Sequence, residues 1–419
     1  MIINKALTYS LLAAITLVPW NATAVNRFSF GNLLPKTSFS SAATIASTAA
    51  ADLVEGLLVK SLLEISEGKH QQALNTIDEL IQSVPNFKLA HLVRGDLLMA
   101  QGKYLQAFGD PVNNRPDAVQ DLQEEARVRI ERYLAKQSQA EEKQPNLILA
   151  PNAQQSHLML IDTSKSRLYL YQKNNDHLKY VADYYITVGK NGVEKQSEGD
   201  KRTPIGVYFA STKLKQQLPD FYGEGAYPLS YPNEWDKAHN RNGSGIWLHG
   251  TPSSTYSRPP RASDGCVVVA NQDLKALEPA LQSGKTPIII ANNLEWLNDS
   301  STPEREKEIL NTEIDNWLND WKSQDTEKYL SYYSKDFSTN GINYQQWAEH
   351  KYRVQANKPK IDISMSNISM FSYPDPQKKL VVVDFTQNFS SSHLKNKMQK
   401  RQYWIQEGNR WKIIYEGAA

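Results

Sequence analysis

The chain has 419 residues, 40% of them hydrophobic and 22% charged, with a formal net charge of +2. That length exceeds one core and points to roughly two to four domains, while near-neutrality without a basic block argues against a nucleic-acid partner. One cysteine excludes an internal disulfide and any multi-cysteine metal site, and eight histidines without HExxH-like spacing give no reason to expect a metal.

Residues 1–24 read as a signal peptide. Lys5 supplies the positive end, Ala6 to Val18 the apolar core, and Ala22-Thr23-Ala24 a cleavage site. Pro19 and Asn21 cut the apolar run below the ~20 residues a membrane span needs, so no transmembrane segment is expected after cleavage. The expected location is periplasmic. Residues 25–50, rich in Ser, Thr and Ala, form a flexible lead-in.

Residues 51–141 are expected to be helical. Leu53, Leu57, Leu62 and Ile65 mark one apolar face, and Ala73, Leu74, Ile77, Leu80 and Ile81 another. Gly68-Lys69 recurs as Gly102-Lys103, Ala73 as Ala107, and Leu63 as Leu97. This period, with Pro85 closing a helix, resembles tetratricopeptide repeats and implies either a partner-binding or self-association surface or a cap on the next domain. A charged helix follows from Pro116 to about Lys136, with Arg127 and Glu131 at ion-pair spacing. Ser138 to Pro151 reads as a polar linker.

Residues 152–298 hold the chemistry. His157–Ile161 and Leu168–Gln172 read as a β-hairpin, Tyr180–Val188 and Val207–Ser211 as further strands, and Thr203-Pro204-Ile205-Gly206 opens the latter. Residues 212–244 carry Tyr222, Tyr227, Tyr231 and Trp235 in a long aperiodic stretch, read as a lid or substrate wall. Ile246-Trp247-Leu248 leads into His249, and Val267-Val268-Val269 leaves Cys266. Two short β-forming runs place a thiol and an imidazole at the ends of neighbouring strands, under a loop rich in Pro, Ser and Arg. A lone cysteine is commonly a small buried hydrophobe. Beside an imidazole it becomes a nucleophile, because the ring depresses the thiol pKa and populates thiolate. A carbonyl near Gly250 or a carboxylate would orient the ring. Gly265 permits a tight turn whose amide, with that of Cys266, would point at an oxyanion.

At His249-Gly250 and Ser263-Asp264-Gly265-Cys266, together with the upstream Thr-Pro-x-Gly, the sequence resembles the YkuD-type L,D-transpeptidases of bacterial cell walls. The resemblance implies a mainly-β catalytic domain with Cys266 as nucleophile and His249 as its base, no cofactor, and peptidoglycan stem peptides as substrate. Asp264 stands where a second histidine is usual, and Val268 where Arg or Asn is usual. This variant resembles a branch that includes L,D-carboxypeptidases and enzymes detaching lipoprotein from peptidoglycan, so the acceptor stays open between an amine and water. Substrate contacts are expected from Arg258 and Arg261, whose guanidinium groups suit stem carboxylates, and from Ser263, Asp264 and Tyr222.

After a boundary at Ser300–Pro303, residues 303–419 open with a helix bearing Ile309, Ile314, Trp317, Leu318 and Trp321. A second helical segment is expected over Asp325–Phe337, then β-rich runs at Ile361–Phe371, Leu380–Phe389, Gln399–Glu407 and Arg410–Glu416. Helices followed by a curved antiparallel sheet resemble the α+β cone of nuclear-transport-factor-like proteins, which implies a binding or dimer surface. The expected whole is a multidomain chain: TPR-like helical head, YkuD domain, cone-fold tail.

Overall fold

The computed structural model describes residues 50–101, 108–109, 116–138, 143–174, 177–297, 301–357, 360–391 and 394–419. The signal-peptide and lead-in expectations, and the second repeat's Gly102-Lys103 and Ala107, lie outside these. No helix among the described residues is long and apolar enough to cross a membrane.

The head is built from helices α1 (Ala50–Ser66), α2 (His70–Ser83), α3 (Lys88–Ala100) and α4 (Pro116–Ser138). Gly68, in the left-handed region (φ 75°), makes the turn between α1 and α2. Val54, Leu57, Leu58, Ile65, Ala73, Ile77, Leu80, Val93 and Leu97 form its core. Leu53, read as part of that face, is 51% exposed; Val54 and Leu58 bury instead, because the stripe runs one residue later.

The middle of the chain is a nine-stranded mixed sheet, the one expected to be catalytic. Its strand order is Gly206–Phe209, Pro287–Ala291, His157–Asp162, Arg167–Asn174, His177–Gly189, Val267–Val269, Trp247–His249 and Ala226–Pro228, with Arg261–Ser263 added beside His177–Gly189. The expected hairpin pairs from His157↔Gln172 to Asp162↔Arg167. Residues 212–244 do not form a free lid. Tyr227, Tyr231 and Trp235 are buried, and a short helix at Glu234–Ala238 is fixed by an Asn233/Asp236 capping box, so most of this aromatic cluster is core.

The tail is a seven-stranded sheet on which helix Ser301–Ser323 buries Leu310, Ile314, Trp317 and Trp321. Ile309, read as part of that face, is 43% exposed. The segment expected to be helical over Asp325–Phe337 divides: Thr326–Ser331 is helix and Tyr333–Thr339 is a strand parallel to Arg410–Ala418. A helix at Tyr344–Gln355 was not foreseen.

The polar linker is also corrected. Gln144–Pro145 pairs with Trp296–Leu297, and Ile148–Ala150 joins the tail sheet antiparallel to Ile361–Tyr373. The reason is apolar: Leu147, Ile148 and Leu149 are all buried there. The head leads into the tail's sheet before the catalytic sheet begins.

Candidate active site

Strands Trp247–His249 and Val267–Val269 lie side by side and parallel, with Val267 opposite Leu248 and Val268 opposite His249. Ile246, Leu248, Val267 and Val269 all enter the catalytic core. Alternation along a strand therefore turns His249 and Val268 to the other face, and Cys266, two residues before Val268, follows the same parity. The thiol and the imidazole share one face of adjacent strands.

His249 is 1% exposed, and its Nδ1 lies 2.7 Å from the carbonyl oxygen of Gly250. A carbonyl only accepts, so Nδ1 carries the proton and Nε2 keeps its lone pair. Of the two orienting groups the sequence left open, the structure places the Gly250 carbonyl there. Burial, aided by the charge of Arg258, lowers the His249 pKa to about 4 despite that hydrogen bond. Phe221 and Tyr222 pack on the ring at centroid distances of 5.9 and 5.1 Å. Tyr222, expected in the substrate wall, is thus against the imidazole itself, and Phe221 joins it.

Asn271 is a residue that sequence reasoning missed. Its Oδ1 accepts from the amides of Thr251 and Glu224, and its Nδ2 donates to the Thr251 carbonyl at 2.8 Å. It ties the loop after His249 to the loop carrying Tyr222. The side chain passes so close to Gly250 that a Cβ there would lie 2.1 Å from Oδ1, which explains glycine after the histidine.

The Cys266 thiol donates to the Gly245 carbonyl at 3.3 Å. Burial pushes its pKa up, outweighing the opposing effects of the Trp247 amide, Arg258 and Lys195. The sequence reading expected the imidazole to depress the thiol and populate thiolate; burial instead raises the thiol pKa and lowers that of the ring.

Around Cys266 the turn is braced by its own side chains. Gly265 has φ 121°, and a Cβ would lie 2.8 Å from the Arg202 carbonyl. Its amide donates to Ser263 Oγ at 3.1 Å, so it is engaged and not directed at an oxyanion as expected. Ser263, expected to touch substrate, is 1% exposed and donates to the Cys266 carbonyl at 2.6 Å. It holds the turn. Thr203, of the Thr-Pro-x-Gly segment, donates to the Gly265 carbonyl and accepts from the Gly189 amide, both at 2.9 Å. That pins the turn to the sheet.

Asp264 is exposed beside Lys190, whose ammonium lies 2.8 Å away and holds the carboxyl below its ordinary range. Arg261 is exposed at the start of its strand. Arg258 is half-buried, donates through Nη2 to the Ala262 carbonyl, and lies over the Phe221 ring at 5.0 Å. Its charge acts on both His249 and Cys266. Arg258, His249, Cys266 and Tyr222 thus converge, whereas Arg261 and Asp264 sit on the rim. No cluster of three metal-ligating side chains occurs among the described residues.

Residues 156–290 match the family described as the YkuD L,D-transpeptidase catalytic domain, and residues 309–417 match the Cds6 C-terminal NTF2-like domain. The chain carries a YkuD catalytic domain and an NTF2-like tail. Over 106 residues the chain is 30% identical to "Putative L,D-transpeptidase YafK" of Escherichia coli; this covers 25% of the chain and 39% of YafK. Among solved structures, Bd1075 of Bdellovibrio bacteriovorus matches with TM-score 0.57 and 29% identity, over 66% of this chain and 98% of that one. The helical cell shape determining protein Pgp2 of Campylobacter jejuni shares the fold at TM-score 0.58 and 22% identity, over 65% of this chain and 95% of its own. In the YkuD domain both motifs, Thr203 to Gly206 and Ser263 to Cys266, meet at one turn.

Proposed function

We propose that the chain is a periplasmic peptidoglycan L,D-transpeptidase working through a thioester on Cys266. The observation that carries this reading is the pairing, on one sheet face, of Cys266 with an imidazole whose Nε2 is kept as a lone pair by the Gly250 carbonyl. In the proposed cycle the stem peptide's carboxylate seats at Arg258. His249 Nε2 takes the thiol proton as sulfur bonds to the carbonyl carbon on the L-centre of diaminopimelate. The oxyanion forms at the Cys266 amide, since the Gly265 amide is already engaged. Collapse breaks the C–N bond, His249 returns its proton to the departing D-alanine amine, and a thioester remains. An acceptor amine, deprotonated by His249, then attacks the thioester and releases the thiol.

Water as the acceptor gives the second reading, an L,D-carboxypeptidase trimming tetrapeptide to tripeptide in cell-shape control. The likeness in fold to a helical cell shape determining protein over 65% of the chain favours keeping it. One experiment tests both. Full-length protein and its Cys266→Ala variant are incubated with tetrapeptide muropeptides, and the products are weighed by mass spectrometry. D-alanine release by the parent and none by the variant is expected; a cross-linked product marks transfer and a tripeptide marks hydrolysis. Sacculus binding without D-alanine release from either protein would leave only a cell-wall-binding scaffold.

A further inference from the structure

The loop that crosses the active site is held from another part of the chain. Tyr256 donates its amide to the Asn86 carbonyl at 3.2 Å, Asn86 Nδ2 donates to the Ser253 carbonyl at 3.0 Å, and the rings of Tyr256 and Phe87 lie 4.8 Å apart. Next in sequence, Ser257 donates its hydroxyl to Glu125 Oε1, on α4, at 2.6 Å. Glu125 is 1% exposed, and the same oxygen accepts from Arg129 Nε and Nη2 at 3.0 and 2.9 Å. Beyond Ser257 comes Arg258, whose carbonyl accepts from Tyr185 Oη at 2.9 Å and Thr187 Oγ1 at 2.8 Å.

We infer that Ser257 and Glu125 are positioning residues for Arg258, so that the head sets the active-site arginine across the seam. The physical argument is one of planes. A peptide unit is rigid, and fixing the units on both sides of a Cα fixes the direction of its Cβ. The catalytic sheet fixes the unit after Arg258 through Tyr185 and Thr187; the unit before it carries the Ser257 carbonyl, which accepts from Thr255 Oγ1 at 2.7 Å, and the head anchors this short turn by holding the Ser257 hydroxyl. The guanidinium needs such aim. Its Nη1 is buried without a partner among the described residues, a costly state that an anionic oxygen relieves. Arg129 reinforces the link, since its guanidinium lies 3.8 Å from the Tyr185 ring and ties both supports of Arg258 together.

The part of this inference that concerns substrate rests on the proposed function, so the test has one readout that needs no peptidoglycan. Full-length Ser257→Ala, Ser257→Thr, Arg258→Ala and the double variant Ser257→Ala/Arg258→Ala are compared. The first readout is kcat and KM for a tetrapeptide muropeptide. The second is the ratio of alkylation rates of Cys266 by iodoacetate, an anion, and by neutral iodoacetamide. Loss of one well-made hydrogen bond predicts a KM about three- to tenfold higher for Ser257→Ala, with kcat nearly unchanged. The alkylation ratio falls about twofold as the arginine's field on the sulfur loosens. Ser257→Thr, which keeps the hydroxyl, restores both, and in the Arg258→Ala background the Ser257→Ala effect disappears. Wild-type KM and ratio in Ser257→Ala, or an effect that adds in full to Arg258→Ala, overturns the inference. Absence of muropeptide turnover by the parent would sink the proposed function alone, and the alkylation ratio would still decide the positioning role.

Discussion

The catalytic sheet meets the head and the tail through different chemistry. Toward the head it presents Arg167, fully buried, which donates to Glu55 of α1 at 2.8 Å and lies 3.5 Å from Asp183, while Arg132 of α4 donates to Asp183 at 2.8 Å. Toward the tail it presents Leu158, Leu160, Val207 and Trp235, packed in one cluster with Phe371, Val382 and Tyr403. Trp235 stacks on Tyr403 with centroids 5.7 Å apart. Apolar burial is non-directional and serves adhesion, whereas a buried ion pair is poor adhesive but fixes geometry. The active-site loop lies on the charged side, so the head aims and the tail holds.

The hardest test of that contrast is Arg167→Ala. It takes the nearest cation from Glu55 and leaves Asp183, 6% exposed, with Arg132 as its remaining cation, and a loss of about 3–5 kcal/mol is expected in urea unfolding. An unchanged midpoint would mean that the charged seam is hydrated and carries no positional information. A smaller loss is expected from Arg401→Ala, a charged group on the tail seam. Arg401 donates to Asp384 at 2.7 and 2.9 Å and to Glu234 at 3.2 Å. Those carboxylates are 14% and 19% exposed against 6% for Asp183, so water compensates them better, and about 1–3 kcal/mol should go while Cys266 alkylation stays at the parent rate. Slower or faster alkylation in this variant would break the division of labour.

The mildest effect concerns pH. Because burial raises the thiol pKa, the iodoacetamide rate should climb through pH 9 without a plateau near neutrality. His249, with a pKa of about 4, is already an unprotonated base through the neutral range and adds no limb there. Removing Arg258 takes away a cation that favours thiolate, so Arg258→Ala should shift this curve further up. A plateau between about pH 6 and 7 would instead reveal a preformed thiolate–imidazolium pair.

How far the sequence could be read depended on whether a residue's partners were local. The shared face of His249 and Cys266 was legible because two apolar triplets fixed strand parity on either side. The Gly250 carbonyl was one of two open choices for the same reason: it is the histidine's neighbour. Ser257 and Glu125 are 132 residues apart, and nothing in either neighbourhood marks the pair. Asn271 looks like an ordinary polar residue opening a helix. Helix Tyr344–Gln355 packs Tyr344, Trp347 and Ala348 on the core only partly buried and buries Lys351 and Gln355, so its apolar stripe is short; the available signals were that spacing and the Asn343/Gln346 capping box. The direction of the thiol's pKa shift was not legible because burial, the largest cause for thiol and imidazole alike, is not a property of a motif.

The short strand Ile148–Ala150 has a practical consequence. It is laced to the tail at Met370 and Phe371, although more than two hundred residues, including the whole sheet that carries Cys266, are strung between. A gene trimmed to the enzyme-like middle would leave Leu147, Ile148 and Leu149 bare and open a greasy wall at Leu158 and Leu160. Such a fragment should clump during purification, and the protein is better handled with its carboxy-terminal third left on.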